Sequence, residues 1–196
     1  MSNIKFLLFL ILIVGLYGQS GHAGLVTEER AVSEFNAVKL RGTGTVYLSQ
    51  GNEETLTIEA AEDILPYIES RVSGYTLILG KKRNFRGWGR TGPINYHLKM
   101  KDIAGLNISG SGNIISEKVK SDELSLHISG SGDYEASKLK SDQVDVSVSG
   151  SGDVTVWVDD KLDVHISGSG KVGYYGRPAV STQSSGSGQT RHLGDR

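Results

Sequence analysis

Four groups of residues in this 196-residue chain are of types that could do chemistry. The first is a basic, aromatic stretch holding Lys81, Lys82, Arg83, Phe85, Arg86, Trp88 and Arg90. Cations interleaved with rings suit phosphate, sulfate or carboxylate groups together with stacking on sugar or base faces. Lys82, Arg83, Phe85, Arg86, Trp88 and Arg90 are therefore candidate ligand-binding residues, with a solvated connecting loop as the alternative. The second group is Gly130-Ser131-Gly132-Asp133 and Gly150-Ser151-Gly152-Asp153, which looks like a calcium-binding repeat. That repeat has a nine-residue period and a different glycine-to-aspartate offset. The equivalent residues elsewhere are Asn113, Lys171 and Gln189, and a lysine in that row opposes a cation. Solvated corner side chains are expected instead.

The third group is His127 and His165, with Asp145 and Asp163 in a neighbouring row. If strands stack about 4.8 Å apart with Ser147 between them, the two imidazoles lie about 10 Å apart. Zinc needs three or four convergent ligands, so a polar exposed face is expected and no metal or cofactor is assigned. The fourth group is Asp159, Asp160 and Asp163. Glycoside hydrolysis needs two carboxyls flanking a cleft at about 5–10 Å, whereas these acids fall near a turn. No serine sits in a nucleophile-elbow context. The chain reads as a non-enzyme.

What must position these groups is a repeat. Ser-Gly-Ser-Gly begins at Ser109, Ser129, Ser149, Ser167 and Ser185, at intervals of 20, 20, 18 and 18 residues. A fixed period near twenty is a solenoid signature. Alternating apolar residues precede each corner, such as Leu124, Leu126 and Ile128, then Val144, Val146 and Val148, with polar residues between. Period two means strands with one buried face. The corner glycines are Gly110, Gly112, Gly130, Gly132, Gly150, Gly152, Gly168, Gly170, Gly186 and Gly188. They are expected to be structural, either because the interior is too narrow for a Cβ or because the backbone takes positive φ. The serines between them are expected to form outward ladders.

Before residue 104 the period is lost. Gly42-Thr43-Gly44 is a looser corner, and residues 55–60, 75–79 and 94–100 also alternate. Residues 64–72 suit a short helix or another strand. This half is placed in the same solenoid, with a separate small β-domain as the alternative. Length at about 20 residues per coil gives seven to nine coils.

At the N-terminus Lys5 precedes an uncharged apolar run over residues 6–16 and then small and polar residues. This is a signal-peptide layout, with cleavage after Ala23, and the run is too short to span a bilayer at about 20 residues. The mature chain, residues 24–196, would carry a net charge of −2 rather than −1. That gives no general field for nucleic acid or anionic membrane. There is no cysteine, which excludes disulfides, thiol catalysis and a lipidated N-terminal cysteine. The organisation expected is a signal peptide over 1–23, one all-β solenoid over 24–189 and a polar tail over 190–196.

Several stretches together resemble a known family. They are Phe35-Asn36-Ala37-Val38, Val46-Tyr47-Leu48-Ser49-Gln50-Gly51, Leu65-Pro66-Tyr67-Ile68, the Ser-Gly-Ser-Gly series and Tyr175-Gly176-Arg177-Pro178. From about Val32 to Gln189 the chain is similar to the putative auto-transporter adhesin, head GIN domain family. The resemblance implies a right-handed parallel β-helix in an exported bacterial protein, in the periplasm or at the outer surface. It carries over no catalytic residue. The expected role is a non-catalytic, adhesin-like binding or structural module. A carbohydrate-binding or carbohydrate-active β-helix is the alternative. The partners considered are an anionic glycan, another envelope protein and, through unpaired end strands, a second copy.

Overall fold

Alternating sequences with glycine at fixed intervals fold here into fifteen strands. The computed structural model describes residues 24–82 and 92–195. The strands are β1 (Leu25–Arg30), β2 (Ala37–Gly42), β3 (Thr45–Gln50), β4 (Thr55–Ala61), β5 (Ile68–Ser73), β6 (Thr76–Lys81), β7 (Asn95–Met100), β8 (Gly105–Gly110), β9 (Asn113–Ser116), β10 (Val119–Gly130), β11 (Tyr134–Gly150), β12 (Val154–Gly168), β13 (Lys171–Tyr175), β14 (Ala179–Gly186) and β15 (Gln189–Gly194). Residues 64–72 satisfy both readings made of them, with a single 3-10 turn (Leu65–Tyr67) running into β5.

The molecule is a parallel β-solenoid. One ladder runs β6, β2, β8, β10, the C-terminal part of β11, the C-terminal part of β12, and β14. The other runs β7, β3, β9, the N-terminal part of β11, the N-terminal part of β12, β13 and β15. The two meet at the glycine corner. Short pairings such as Val119 with Leu139 and Ser141 with Val158 close the third side.

The corners stack in register, Gly42, Gly110, Gly130, Gly150, Gly168 and Gly186. From Gly110 to Gly186 the chain completes about four successive turns, fewer than the seven to nine coils that length alone suggests. The remaining layers are not successive. Chain order puts β2/β3 first, but space puts it between β6/β7 and β8/β9. Antiparallel strands cover the N-terminal end, β4 on β7, β1 on β4 and β5 on β6, and of these β4 and β5 lie in the chain between β3 and β6.

The change from 20 to 18 residues per turn is absorbed on the third side. Three residues, 137–139, lie between the pairs Ala136–Val156 and Lys140–Trp157 on β11, and none on β12. Between Ser141–Val158 and Gln143–Lys161 the imbalance is one residue in the opposite sense. The net difference is two, and the glycine corner stays aligned.

A single apolar core runs through both halves, from Phe35, Leu40 and Leu48 through Tyr96 and Ile108 to Val146, Val164 and Val172. The irregular half and the regular coils share this core among the described residues. Residues 190–194, expected in a polar tail, are instead most of β15 and pair with β13.

Both explanations of the corner glycines hold, one for each glycine. Gly130 has φ +132, and a Cβ there would lie 2.2 Å from the carbonyl oxygen of Gly110. Gly132 has no such φ, but it is buried, and its Cβ would lie 2.1 Å from the Gly112 oxygen and 2.7 Å from Ile108 Cγ2. The serine between them points to solvent while its amide donates to the coil above, as Ser131 N does to Gly110 O at 2.9 Å. Serines 109, 129, 149, 167 and 185 form one outward row.

Candidate functional site

The outward side chains are held in rows by strand register, so each candidate group has a defined set of neighbours. Asn113, Asp133, Asp153 and Lys171 follow the second glycine of successive corners. Asn113, Asp133 and Asp153 are not the merely solvated side chains expected from sequence. Asn113 Oδ1 accepts the amide of Asp133 at 3.1 Å, Asp133 Oδ1 that of Asp153 at 2.9 Å, and Asp153 Oδ1 that of Lys171 at 2.9 Å. One side-chain oxygen of Asn113, Asp133 and Asp153 is thus committed to a backbone donor where the chain turns and the regular ladder is interrupted. Replacing Asp153 by alanine is expected to cost about 1 kcal/mol, since a side-chain acceptor for a backbone amide is worth about that much. Asparagine, which keeps the acceptor, should restore most of it. Urea unfolding of the three proteins checks this.

His127, Ser147 and His165 do occupy one row, with Asp145 and Asp163 side by side in the next. Among the described residues, no group of three or more His, Asp or Glu side chains is arranged to hold a metal ion. The acidic cluster is divided between two lysines. Asp159 pairs with Lys140 at 2.7 Å, and Asp163 with Lys161 at 2.5 Å. The hydrogen bond and charge of Asp159 hold the Lys140 ammonium above the ordinary lysine range, with a smaller push from Asp142. Lys140 also lies 5.5 Å from the Trp157 ring centre. A shallow open groove of about 290 Å³ crosses this region, lined among others by Glu123, Gln143, Asp145, Lys161 and Asp163.

Of the basic, aromatic stretch, Arg83, Phe85, Arg86, Trp88 and Arg90 lie outside the described residues. Lys82 is described, and it is tied to the 3-10 turn before β5. Its amide donates to Tyr67 O at 2.8 Å and its Nζ to Pro66 O at 2.7 Å. β6 ends at Lys81 and β7 begins at Asn95, and both strands belong to the layer next to the antiparallel N-terminal cap.

One cluster was not singled out from sequence. Tyr47 on β3 and His97 on β7 stack with ring centres 5.2 Å apart and planes 13° apart. With Thr57, Lys99 and Glu117 they line a second shallow groove of about 190 Å³. His97 also lies 3.8 Å from Glu59, which accepts from Asn95 at 2.7 Å. The alternation over residues 45–50 already turns Tyr47 outward. What sequence did not indicate was that β7 would lie beside β3 and bring in a residue fifty positions away.

No helix among the described residues is long and apolar enough to cross a membrane. Solved structures share the fold, among them two with a TM-score of at least 0.5. A putative adhesin from Bacteroides fragilis is 22% identical over 87% of this chain and 97% of its own, with a TM-score of 0.54. A putative cell adhesion protein from Clostridium sporogenes is 12% identical over 88% of this chain and 100% of its own, at 0.50. A putative lipid binding protein from Parabacteroides distasonis is 19% identical over 88% and 98%, at 0.44. No curated protein matches the chain. The sequence profile of one family matches residues 34–134 and again residues 120–178, across the stacked layers and their glycine corners. The chain belongs to the family described as putative auto-transporter adhesin, head GIN domain.

Proposed function

We propose that this protein is an exported, non-catalytic binding module of the cell envelope, adhesin-like in role, in the periplasm or on the outer surface. The observation that carries this reading is how the acidic side chains of the regular coils are used. Asp133 and Asp153 accept backbone amides, and Asp159 and Asp163 are paired with lysines. Each of these four carboxylates is committed to a backbone amide or a lysine, which suits a rigid wall better than the free acid and base pair that hydrolysis requires. Membership of a family named for adhesion supports the binding role, and the layout of residues 1–23, outside the described residues, supports export.

The ligand class that best suits the chain is an anionic glycan. Its site would be the loop carrying Arg83, Phe85, Arg86, Trp88 and Arg90, next to Lys82, which is tied to Pro66. Guanidinium groups read sulfate or carboxylate in paired hydrogen bonds, and rings stack on sugar faces. Retention of the protein on a panel of glycans at low and moderate salt tests this. Anionic glycans should retain it, less well as salt rises. Arg86→Ala with Trp88→Ala should weaken retention roughly tenfold or more, as expected when an aromatic and an arginine anchor are lost together. Unchanged retention by that variant removes the loop from the site.

A further inference from the structure

The two ends of the solenoid are built differently. At the N-terminal end, β1, β4 and β5 run antiparallel to the layers they cover, and Ile64 and Leu65 close the core. The edges there are charged. β5 carries Glu69 and Arg71, paired at 2.5 Å, with Arg41 on Glu69 as well, and β1 carries Glu28, Glu29 and Arg30.

At the opposite end, among the described residues, β14 pairs with β12 alone and β15 with β13 alone. The core columns change character in this layer. Val180 lies under Leu162, Thr182 under Val164, Ser184 under Ile166 and Thr190 under Val172. Hydroxyl side chains in core columns suit a layer that meets water or a polar partner on its far side, not a further apolar coil. All eight residues of β14 are exposed, and Val180 keeps 40% of its surface.

The two edges of this layer are not equivalent. The pairing of β15 shifts register at Leu193, between Tyr174–His192 and Tyr175–Gly194. It also carries Arg191, and it is tied down by His192 to Gly176 O at 2.9 Å and by Arg177 to Asp195. Bulges and charges are the usual devices that keep an edge from pairing. β14 has neither. Its eight residues, AVSTQSSG, hold no charge and no proline, and its register with β12 is unbroken from Ala179 to Gly186.

We propose that β14 is the interface for a second copy of this chain, the two β14 strands pairing antiparallel about a two-fold axis. An uncharged strand can meet itself without like charges opposed, whereas the charged N-terminal edges disfavour head-to-tail growth. The isologous arrangement closes at two copies. The dimer points both N-terminal caps away from the joint.

Sedimentation of the full chain through the micromolar range tests this. Twice the chain mass is expected. Ser181 and Gln183 point outward, so Ser181→Lys with Gln183→Lys leaves the core untouched and sets lysines across the joint. That variant should associate at least roughly tenfold more weakly, since like charges directly opposed disfavour a strand pair. The matching Ser181→Glu, Gln183→Glu variant should do the same, and an equal mixture of the two should recover the double mass. A wild-type chain that stays single, a lysine variant that pairs undiminished, a mixture that fails to recover, or assemblies that grow beyond two would each overturn the proposal.

Discussion

Replacing Gly130 and Gly132 together by valine is expected to destabilise the whole protein by on the order of 5 kcal/mol or more, at the extreme of what point changes do. Marginal domain stability is about 5–15 kcal/mol, so the variant should be largely unfolded. Two independent causes add. Gly130 sits at φ +132, where β-branched side chains are strained, and its Cβ would lie 2.2 Å from a backbone oxygen. Valine at Gly132 would drive its side chain into Gly112 O and Ile108. Backbone on the neighbouring coil cannot move aside without opening the ladder above it. By contrast Ser131→Ala, between the two and facing solvent, should change stability by no more than about 0.5 kcal/mol. Urea unfolding followed by far-UV circular dichroism separates these outcomes. A double-valine variant that melts like the wild type would mean that the corner does not govern the stack.

The second large effect is expected at Leu40. It is fully buried on β2, paired in register with Leu79 of β6 on one side and Ile108 of β8 on the other. Leu40→Ala should cost about 2–5 kcal/mol, the lost transfer energy plus a cavity that flanking strands cannot fill. It should do so in one transition that includes the regular coils, because β2/β3 is the layer joining them to the N-terminal cap. Hydrogen exchange gives the discriminating readout. Amides of β10 to β12 should lose protection along with those of β6 and β7. Coils that kept wild-type protection would show two separate folding units.

The parts of the fold legible in the sequence are those where one residue type repeats at one spacing. The Ser-Gly-Ser-Gly series announces its own stacking, and the alternation of residues such as Leu124, Leu126 and Ile128 orients every strand around it. Gly42 was legible for the same reason, and it stacks on Gly110. The order of the N-terminal layers was not. Alternation says which face of β6 or β7 is buried, but not which neighbour it meets. Here antiparallel β4 and β5 carry the chain past β2/β3 before it returns as β8. That detour is also why the Tyr47–His97 pair could not be foreseen. Asp133 and Asp153 were misread for a different reason. A short acidic side chain at an exposed turn is ordinarily solvated, and only the strict coil-to-coil register places each one over the next corner's amide. The end of the chain misled through composition, since polar Thr190, Arg191 and His192 look like a tail until β13 is seen to offer them an edge.

The central functional claim is that the protein binds and does not transform its ligand. The most direct measurement is to incubate it with a sulfated or uronic-acid glycan and to follow both retention and chain length. Salt-sensitive retention is expected, with the glycan recovered at its original length and without new unsaturated ends. Shortened or unsaturated products would contradict it and make the solenoid a carbohydrate-active enzyme.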